Sequence, residues 1–189
     1  MTGRDPSAPP EPDGGSPAAR PDPTRSGRPR RQESPRLAAR VAAVQALYQI
    51  EMSGRPAEEV IAEFRDHRLG ESDQQPQADR KLFSTLTAAA SVRRADIDRL
   101  IAGALTAGWP LERLDSVMRA VLRAGACELL EFADVPARVV IDQYLDVAHA
   151  FLGDKERGFV NGVLDRLARE LRPQELGGPG APNAAKEKR

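Results

Sequence analysis

The feature that most constrains the fold is the regular separation of helix-like apolar segments by glycine and proline. A left-handed residue is favoured directly after a helix, and glycine stands at that place after four segments: Gly54, Gly70, Gly108 and Gly153. Helix interiors exclude proline, and four prolines fall between the segments or at their starts: Pro56, Pro76, Pro110 and Pro136. These boundaries predict helices over 36–52, 57–69, 79–107, 116–132, 137–152 and 155–171, with a turn or short helix at 111–114.

Apolar residues recur at helical spacing inside these segments. The first segment has a stripe formed by Leu37, Val41, Val44, Leu47 and Met52. Two later stripes consist of Ala137, Ile141, Tyr144, Ala148 and Phe151, and of Val160, Val163, Leu164, Leu167 and Leu171. No stretch alternates with a period of two for long enough to predict a strand, and aromatic residues make up only 4% of the chain. We therefore expect an all-α fold, a compact bundle of about six to seven helices.

Both ends of the chain differ in composition from the middle. Residues 1–35 are rich in proline, glycine, serine and arginine and hold no large apolar residue beyond Met1, which predicts a disordered arm. Residues 173–189 begin with a proline and contain a Gly-Gly-Pro-Gly run, which predicts a flexible tail. A single folded domain is expected over 36–172, with Ser34 as the N-cap and Pro35 as the first residue of the first helix.

The composition restricts the possible classes of function. The chain of 189 residues has a net charge of zero, so any electrostatic recognition must come from local clusters of charge. The one cysteine, Cys127, excludes an internal disulfide framework and suits a reducing compartment. No apolar run approaches the ~18 residues that a membrane span requires. We expect a soluble, cytoplasmic protein that makes no membrane contact.

The sequence contains no recognisable catalytic pattern. Cys127 with His149 as its base is one candidate, but Cys127 lies among small and apolar helix residues, where a buried core position is favoured. Neither His67 nor His149 has the spacing of a metal site, and no glycine-rich phosphate loop is present. We expect a protein that is not an enzyme and that needs no cofactor or metal.

Arginines lead directly into the first predicted helix. Four of them, Arg25, Arg28, Arg30 and Arg31, precede Arg36 and Arg40, which lie one helical turn apart. Such a segment suits contact with a phosphate backbone, although an ordinary solvated helix end is an equally good interpretation from these residues alone.

A second cationic segment opens the last long helix. Phe159 falls in its first turn beside Lys155 and Arg157. A helix N-terminus favours anions, and an aromatic ring beside two cations can stack an unpaired base while the charges hold phosphate. The alternative is that Phe159 covers the hydrophobic core.

Three stretches of the sequence carry a resemblance to a known family. These are VQALYQIEMSG at 44–54, the helix that begins after Val135–Pro136, and GFVNGVLDRLARE at 158–170. Together they resemble the bacterial transcription antitermination factor NusB family, over about residues 36–171. The resemblance implies two small helical bundles packed together and no catalytic activity. It also implies binding of single-stranded boxA RNA from ribosomal RNA leaders together with NusE, a small-subunit ribosomal protein, in the antitermination complex of RNA polymerase.

Combining this resemblance with the residue pattern gives a hypothesis for the RNA site. A basic track is expected from Arg31, Arg36, Arg40, Lys155 and Arg157. Phe159 and Tyr48 are expected to contact bases, with Gln45 offering a hydrogen bond to a base edge. For Tyr48 a core position, and for Gln45 a solvated position, stay open as alternatives. Leu37 and Ala38 replace basic residues that the family pattern leads one to expect.

The resemblance leaves other interpretations open. NusE is expected to dock away from the basic track, on 116–132 and 137–152. The same fold forms the N-terminal RNA-binding part of some ribosomal RNA cytosine methyltransferases, but this chain is expected to leave no room for a catalytic domain after its last helix. A helical adaptor that binds only proteins is a third possibility.

Overall fold

The computed structural model describes residues 34–69, 78–105 and 109–176, and in these ranges the chain is helical without strands. The described helices are α1 (Pro35–Ser53), α2 (Ala57–His67), α3 (Arg80–Val92), α4 (Arg94–Ala104), α5 (Ser116–Glu131), α6 (Ala137–Phe151), α7 (Asp154–Leu171) and α8 (Pro173–Leu176). A 3-10 turn, Leu111–Arg113, precedes α5. The all-α prediction is confirmed. The predicted N-terminal arm up to residue 33, and the predicted glycine boundaries at 70 and 108, lie outside the described residues.

Local side-chain chemistry sets the start of three described helices, α1, α3 and α5. The hydroxyl of Ser34 accepts the N–H of Leu37 at 3.1 Å, with Pro35 at the first helical position, as predicted. Gly54 ends α1 in the left-handed conformation at φ 66°, and its N–H bonds to the carbonyl of Ile50. The prediction for Gly153 is wrong. Its φ of −76° and ψ of 174° are extended, and it stands before α7 as the N-cap.

The predicted helix 79–107 is two helices. Arg93, at φ −95° and ψ 16°, ends α3 and precedes α4. The chain turns here without a proline or glycine, so the composition gives no sign of the break. The turn allows α3 to pack on α1 and α2, and α4 to pack on α5 and α7.

The helices form two packed groups around α5. Helices α1, α2 and α3 pack on one another, while α4, α6 and α7 pack on the other side, and α5 contacts both groups. This arrangement confirms the expected pair of small bundles. Along α5 the residues from Met118 to Leu129 are buried, apart from the half-buried Arg119. The middle of α5, from Met118 to Leu129, therefore offers no surface for a partner, and that part of the expected NusE surface on 116–132 is corrected.

The first helix buries a wider face than the predicted stripe, of which four of the five residues lie in the core or pack against it. Its closest packing comes from alanines, which let α3 and α5 approach α1: Ala39, Ala42, Ala43 and Ala46. Of the predicted stripe, Val44 and Leu47 are buried, Leu37 and Val41 are half-buried, and Met52 is 61% exposed. The two later stripes are buried as predicted, except that Phe151 and Leu171 are half-buried.

Ion pairs fix the direction of α1 against α5. Arg40 of α1 pairs with Glu128, whereas Glu51, eleven residues later, pairs with Arg123 at 2.6 Å. The residue numbers rise along α1 and fall along α5, so the two helices are antiparallel. Arg123 also pairs with Asp98 at 2.7 Å, which ties α4 to the same cluster.

A short C-terminal helix extends the folded unit beyond the boundary at 172 that the sequence indicates. Arg172 is buried, and its guanidinium donates to carbonyls at the end of α5, including that of Leu129 at 2.7 Å. Glu175 of α8 accepts the N–H of Ala137 at 2.7 Å and so caps α6. Because a helix end leaves unpaired backbone groups, these two side chains hold the turn between α5 and α6.

Candidate nucleic-acid interface

Arg40 is a structural residue in the core. Its side chain is 3% exposed, and its Nε lies 2.9 Å from the Glu128 carboxylate, which its Nη2 also contacts. The hydroxyl of Tyr144 donates to the same carboxylate at 3.0 Å, and Gln143 accepts from Arg40 at 3.5 Å. This cluster, formed by Arg40, Glu128, Gln143 and Tyr144, joins α1, α5 and α6 and is called the Glu128 cluster below.

The charge state of the Glu128 cluster follows from its burial. Burial lowers the pKa of Arg40, but the hydrogen bond and the charge of Glu128 outweigh it, so the pKa lies above its usual range. Burial, reinforced by Glu128, raises the pKa of Tyr144 well above 10. Arg40 is therefore a permanent cation whose charge Glu128 neutralises. The prediction that Arg40 contacts RNA phosphate is corrected, because the side chain faces α5 and not solvent.

Arg36 lies one turn earlier and has the opposite environment. It is exposed and lines a surface pocket of about 250 Å³ together with Lys81, Asp79 and Asp134. The apolar walls of this pocket are Leu82, Phe132 and Val135, with Thr85 and the edge of Arg40 completing it. We call it the cationic pocket. Arg31, the other predicted basic residue at this end, lies outside the described residues.

A larger pocket lies against the second half of α1. It has a volume of about 530 Å³ and is lined by Val44, Gln45, Tyr48, Gln49, Met52, Ser53, Arg68, Val117 and Phe151. We call it the aromatic pocket, because the rings of Tyr48 and Phe151 both line it. Tyr48 is 37% exposed, so it is a surface residue and not the core residue that stayed open as an alternative. Gln45 is exposed on the same wall, and its amide has no hydrogen bond to any of the described residues.

The rim of the aromatic pocket carries a positioned cation. The guanidinium of Arg68 lies 4.5 Å from the ring centroid of Phe64, which in turn stacks on Phe83 at 5.6 Å. Arg68 also pairs with Glu63 at 3.4 Å but stays half-exposed. This residue was not predicted, since Phe64 and Arg68 are an ordinary helical pair until the fold places them beside α1.

The predicted residues of α7 differ in exposure. Lys155 is exposed and forms no ion pair with a described residue. Arg157 is half-buried, with its Nη1 at 3.1 Å from Asp154 and 3.3 Å from Nδ1 of His149. Phe159 is half-buried and packs on the core, so its ring meets both the interior and the surface.

The two pockets lie at opposite ends of one face. Arg36 and Val135 share the cationic pocket, while Tyr48 and Phe151 share the aromatic pocket, so α1 and α6 run in parallel between them. The 15 residues of α6 span about 22 Å, and Arg40 is enclosed by the Glu128 cluster midway. Of the predicted cations that the structure describes, Arg36 therefore lies at one end of the α1–α6 face, while Lys155 and Arg157 follow Phe151 at the other end.

Comparison with known proteins identifies the family of this chain. The model of the NusB family matches residues 37–169 of this chain. A transcription antitermination protein NusB from Nitrobacter hamburgensis is 50% identical over 144 residues, which is 75% of this chain and 90% of the relative. The chain belongs to the NusB family.

Solved structures of NusB proteins share the fold. T. maritima NusB superposes with a TM-score of 0.63 at 30% identity, covering 74% of this chain and 94% of that one. A chain from the crystal structure of antitermination factors NusB and NusE in complex with dsRNA gives a TM-score of 0.59 at 26% identity. That alignment covers 71% of this chain and 96% of the other.

The NusB-family segments of the sequence occupy the two sides of the aromatic pocket. The stretch 44–54 supplies most of its α1 wall, and Phe151 supplies the wall from α6, just before the turn that leads to Lys155 and Phe159. Phe151 was predicted only as part of a core stripe. Its position in the pocket depends on the packing of α6 beside α1, which no local pattern in the sequence encodes.

The groups considered for catalysis are placed apart. Cys127 is fully buried in α5, and burial raises the pKa of its thiol to about 12, with Glu131 and Glu128 adding to the effect. His149 is exposed at the end of α6 beside Arg157. Within the described residues no three metal-ligating side chains come together, and no helix there is long and apolar enough to cross a membrane.

Proposed function

We propose that this protein is a transcription antitermination factor that binds single-stranded boxA RNA of ribosomal RNA leaders together with NusE. In this role it supports processive transcription by RNA polymerase. The observation that carries the proposal is the aromatic pocket of a NusB-family chain, in which Tyr48 and the Gln45 side chain on α1 share one cavity with Phe151 on α6. A structure of antitermination factors NusB and NusE in complex with dsRNA supports NusE as a partner and RNA as the class of ligand.

The pocket suits an unpaired base because its chemistry is mixed. Aromatic rings stack on any base, and a single-stranded base exposes an edge that an amide can bond. Tyr48 and Phe151 offer the stacking surface, and Gln45 offers the hydrogen bond. Phe159, packed on the core with part of its ring outward, extends this surface onto α7.

Phosphates would be held at the two ends of the α1–α6 face. Arg36 acts at one end, with Arg31 preceding it in the sequence, and Lys155 and Arg157 act at the other. Because the balanced net charge gives no general attraction, these local groups supply the salt-sensitive part of the affinity. The protein acts by binding alone, without catalysis or a cofactor, in the cytoplasm where the nascent RNA is made.

A titration with boxA RNA tests this proposal. A scrambled RNA of the same length is the control, and each RNA is measured with and without purified NusE at several salt concentrations. Contact with about four phosphates gives a log–log salt slope near −3 for a single strand. We expect tighter binding of boxA than of the scrambled RNA, and a further gain with NusE, since two joined surfaces raise avidity.

Three outcomes would contradict the proposal. Equal binding of boxA and scrambled RNA, with or without NusE, would show that the protein binds RNA without sequence specificity. Absence of RNA binding alongside retained protein partners would favour the adaptor. Transfer of a labelled methyl group from S-adenosylmethionine to ribosomal RNA would support the methyltransferase relationship, and we expect none.

A further inference from the structure

The cationic pocket joins the starts of two helices that are far apart in the sequence. The N–H of Asp79, the N-cap of α3, donates to the carbonyl of Pro35, the first residue of α1, at 2.9 Å. This bond places Arg36, the next residue of α1, beside Lys81 on the first turn of α3. Both side chains line the same pocket of about 250 Å³.

Two of the three cationic side chains that line this pocket are available to a ligand, since the third, Arg40, is paired with Glu128. Arg36 and Lys81 are exposed, and neither forms an ion pair with any of the described residues. The carboxylate of Asp79 accepts the N–H of Leu82 at 2.9 Å but keeps its negative charge, which opposes an anion in the pocket. Asp134 is the remaining acidic group in the lining, and it is exposed on the turn between α5 and α6.

The surroundings favour an anion with an apolar portion. Helices α1 and α3 both begin at this pocket, and helix N-termini carry partial positive charge. The opposite wall is apolar, formed by Leu82, Phe132 and Val135. A nucleotide has this combination of a phosphate and a flat, weakly polar base, whereas a simple inorganic anion would leave the apolar wall unused.

We propose that Lys81 and Arg36 together hold a backbone phosphate of the bound RNA, so that the RNA-binding surface extends onto α3. This inference rests on the proposed function and adds a residue that the sequence analysis did not contain. The phosphate lies between the two side chains, and the attached nucleotide covers the apolar wall. Asp134 opposes the phosphate and limits the affinity of the site.

Replacing Lys81 tests the site directly. Lys81→Gln is titrated with boxA RNA at several salt concentrations, beside Arg113→Gln as the matched loss of one charge. Arg113 is exposed in the 3-10 turn before α5, whose 16 residues separate it by about 24 Å from the end that reaches the cationic pocket. We expect Lys81→Gln to weaken binding several-fold at low salt and to make the slope shallower by about 0.7. Arg113→Gln should leave both unchanged, and Lys81→Arg should restore both.

Asp134→Asn should change RNA affinity in the opposite direction from Lys81→Gln. Removing this carboxylate should tighten RNA binding, because only one of the two carboxylates in the lining, that of Asp79, then opposes the phosphate. If the unaltered protein binds boxA RNA and Lys81→Gln matches it in affinity and slope, the phosphate site is wrong while the proposed function stands. Equal losses in Lys81→Gln and Arg113→Gln would also overturn it, since they would show a general charge effect. If the unaltered protein does not bind boxA RNA, both proposals fail.

Discussion

Arg36 and Arg40 stand one turn apart on α1 and have opposite roles. Arg40 is enclosed by the Glu128 cluster, whereas Arg36 is exposed at the rim of the cationic pocket. The reason is the length of α5. Because α1 and α5 are antiparallel, residues of α1 that precede Arg40 lie opposite residues that follow Glu128. Helix α5 ends at Glu131, so it stops close to the level of Arg36. An identical side chain one turn away is therefore exposed and forms no ion pair with a described residue, although Asp79 and Asp134 line the same pocket.

The residues that hold α1 in place are therefore different from the residues that α1 presents to a ligand. The inner face of α1 carries close-packed alanines and a buried ion pair, and its outer face carries Arg36, Gln45 and Tyr48. Substitutions on the inner face should change stability, and substitutions on the outer face should change RNA binding.

The largest effect is expected for Arg40→Ala. Removing one partner of a buried ion pair leaves Glu128 uncompensated, which costs about 3–5 kcal/mol of unfolding free energy. Urea denaturation measures this loss. Arg36→Ala is the matched control and should stay within about 0.5 kcal/mol of the unaltered protein. Equal losses for the two variants would contradict the assignment of Arg40 to the core.

Tyr48→Ala should act on binding instead of folding. Loss of a stacked base lowers RNA affinity by about 1–3 kcal/mol. Phe159→Ala is the informative comparison, because this half-buried ring packs on the core and should lower both affinity and the unfolding midpoint. Calorimetric titration and thermal melts of both variants separate the two effects. A Tyr48→Ala variant that melts early but binds RNA normally would show that Tyr48 stabilises the fold, like the residues of the inner face, and does not contact RNA.

Alkaline pH should weaken the interior through Cys127. Its thiol has a pKa of about 12 in the folded protein, against an ordinary value of 9.0. Above about pH 9 the unfolded chain loses a proton that the folded chain retains, so stability falls with rising pH by up to about 1.4 kcal/mol per unit. Denaturation at pH 8 and pH 10 measures the fall. Cys127→Ala should lose this part of the pH dependence, and an unchanged dependence would contradict the buried thiol.

The smallest expected effect belongs to Arg36→Gln. Loss of one phosphate contact should make the salt slope of boxA binding shallower by about 0.7. The unfolding midpoint should not move, since the side chain is exposed. A slope identical to that of the unaltered protein would remove Arg36 from the RNA surface.

Helix ends were predictable where a single residue sets them. Ser34, Pro35 and Gly54 act through their own backbone neighbours, so the sequence carries the signal directly. The break at Arg93 was not predictable, because no proline or glycine marks it and it arises from packing on two different groups of helices. Gly153 was misplaced because the same residue type serves at both ends of helices.

The sequence predicted the chemical type of the site but not all of the residues that form it. The sequence indicated Tyr48 and Gln45 from α1, and both line the aromatic pocket. The burial of Arg40 depends on its ion pair with Glu128, 88 positions later. The positions of Phe151, Arg68 and Lys81 in the pockets depend on the packing of neighbouring helices. Contacts of such long sequence separation leave no local pattern.

Amide chemical shifts of the labelled protein, recorded as boxA RNA is added, give the most direct test of the two faces of α1. The account predicts the largest changes at Gln45, Tyr48 and Phe151 around the aromatic pocket, with further changes at Arg36. Changes confined to the outward face of α4, with α1 unaffected, would contradict it.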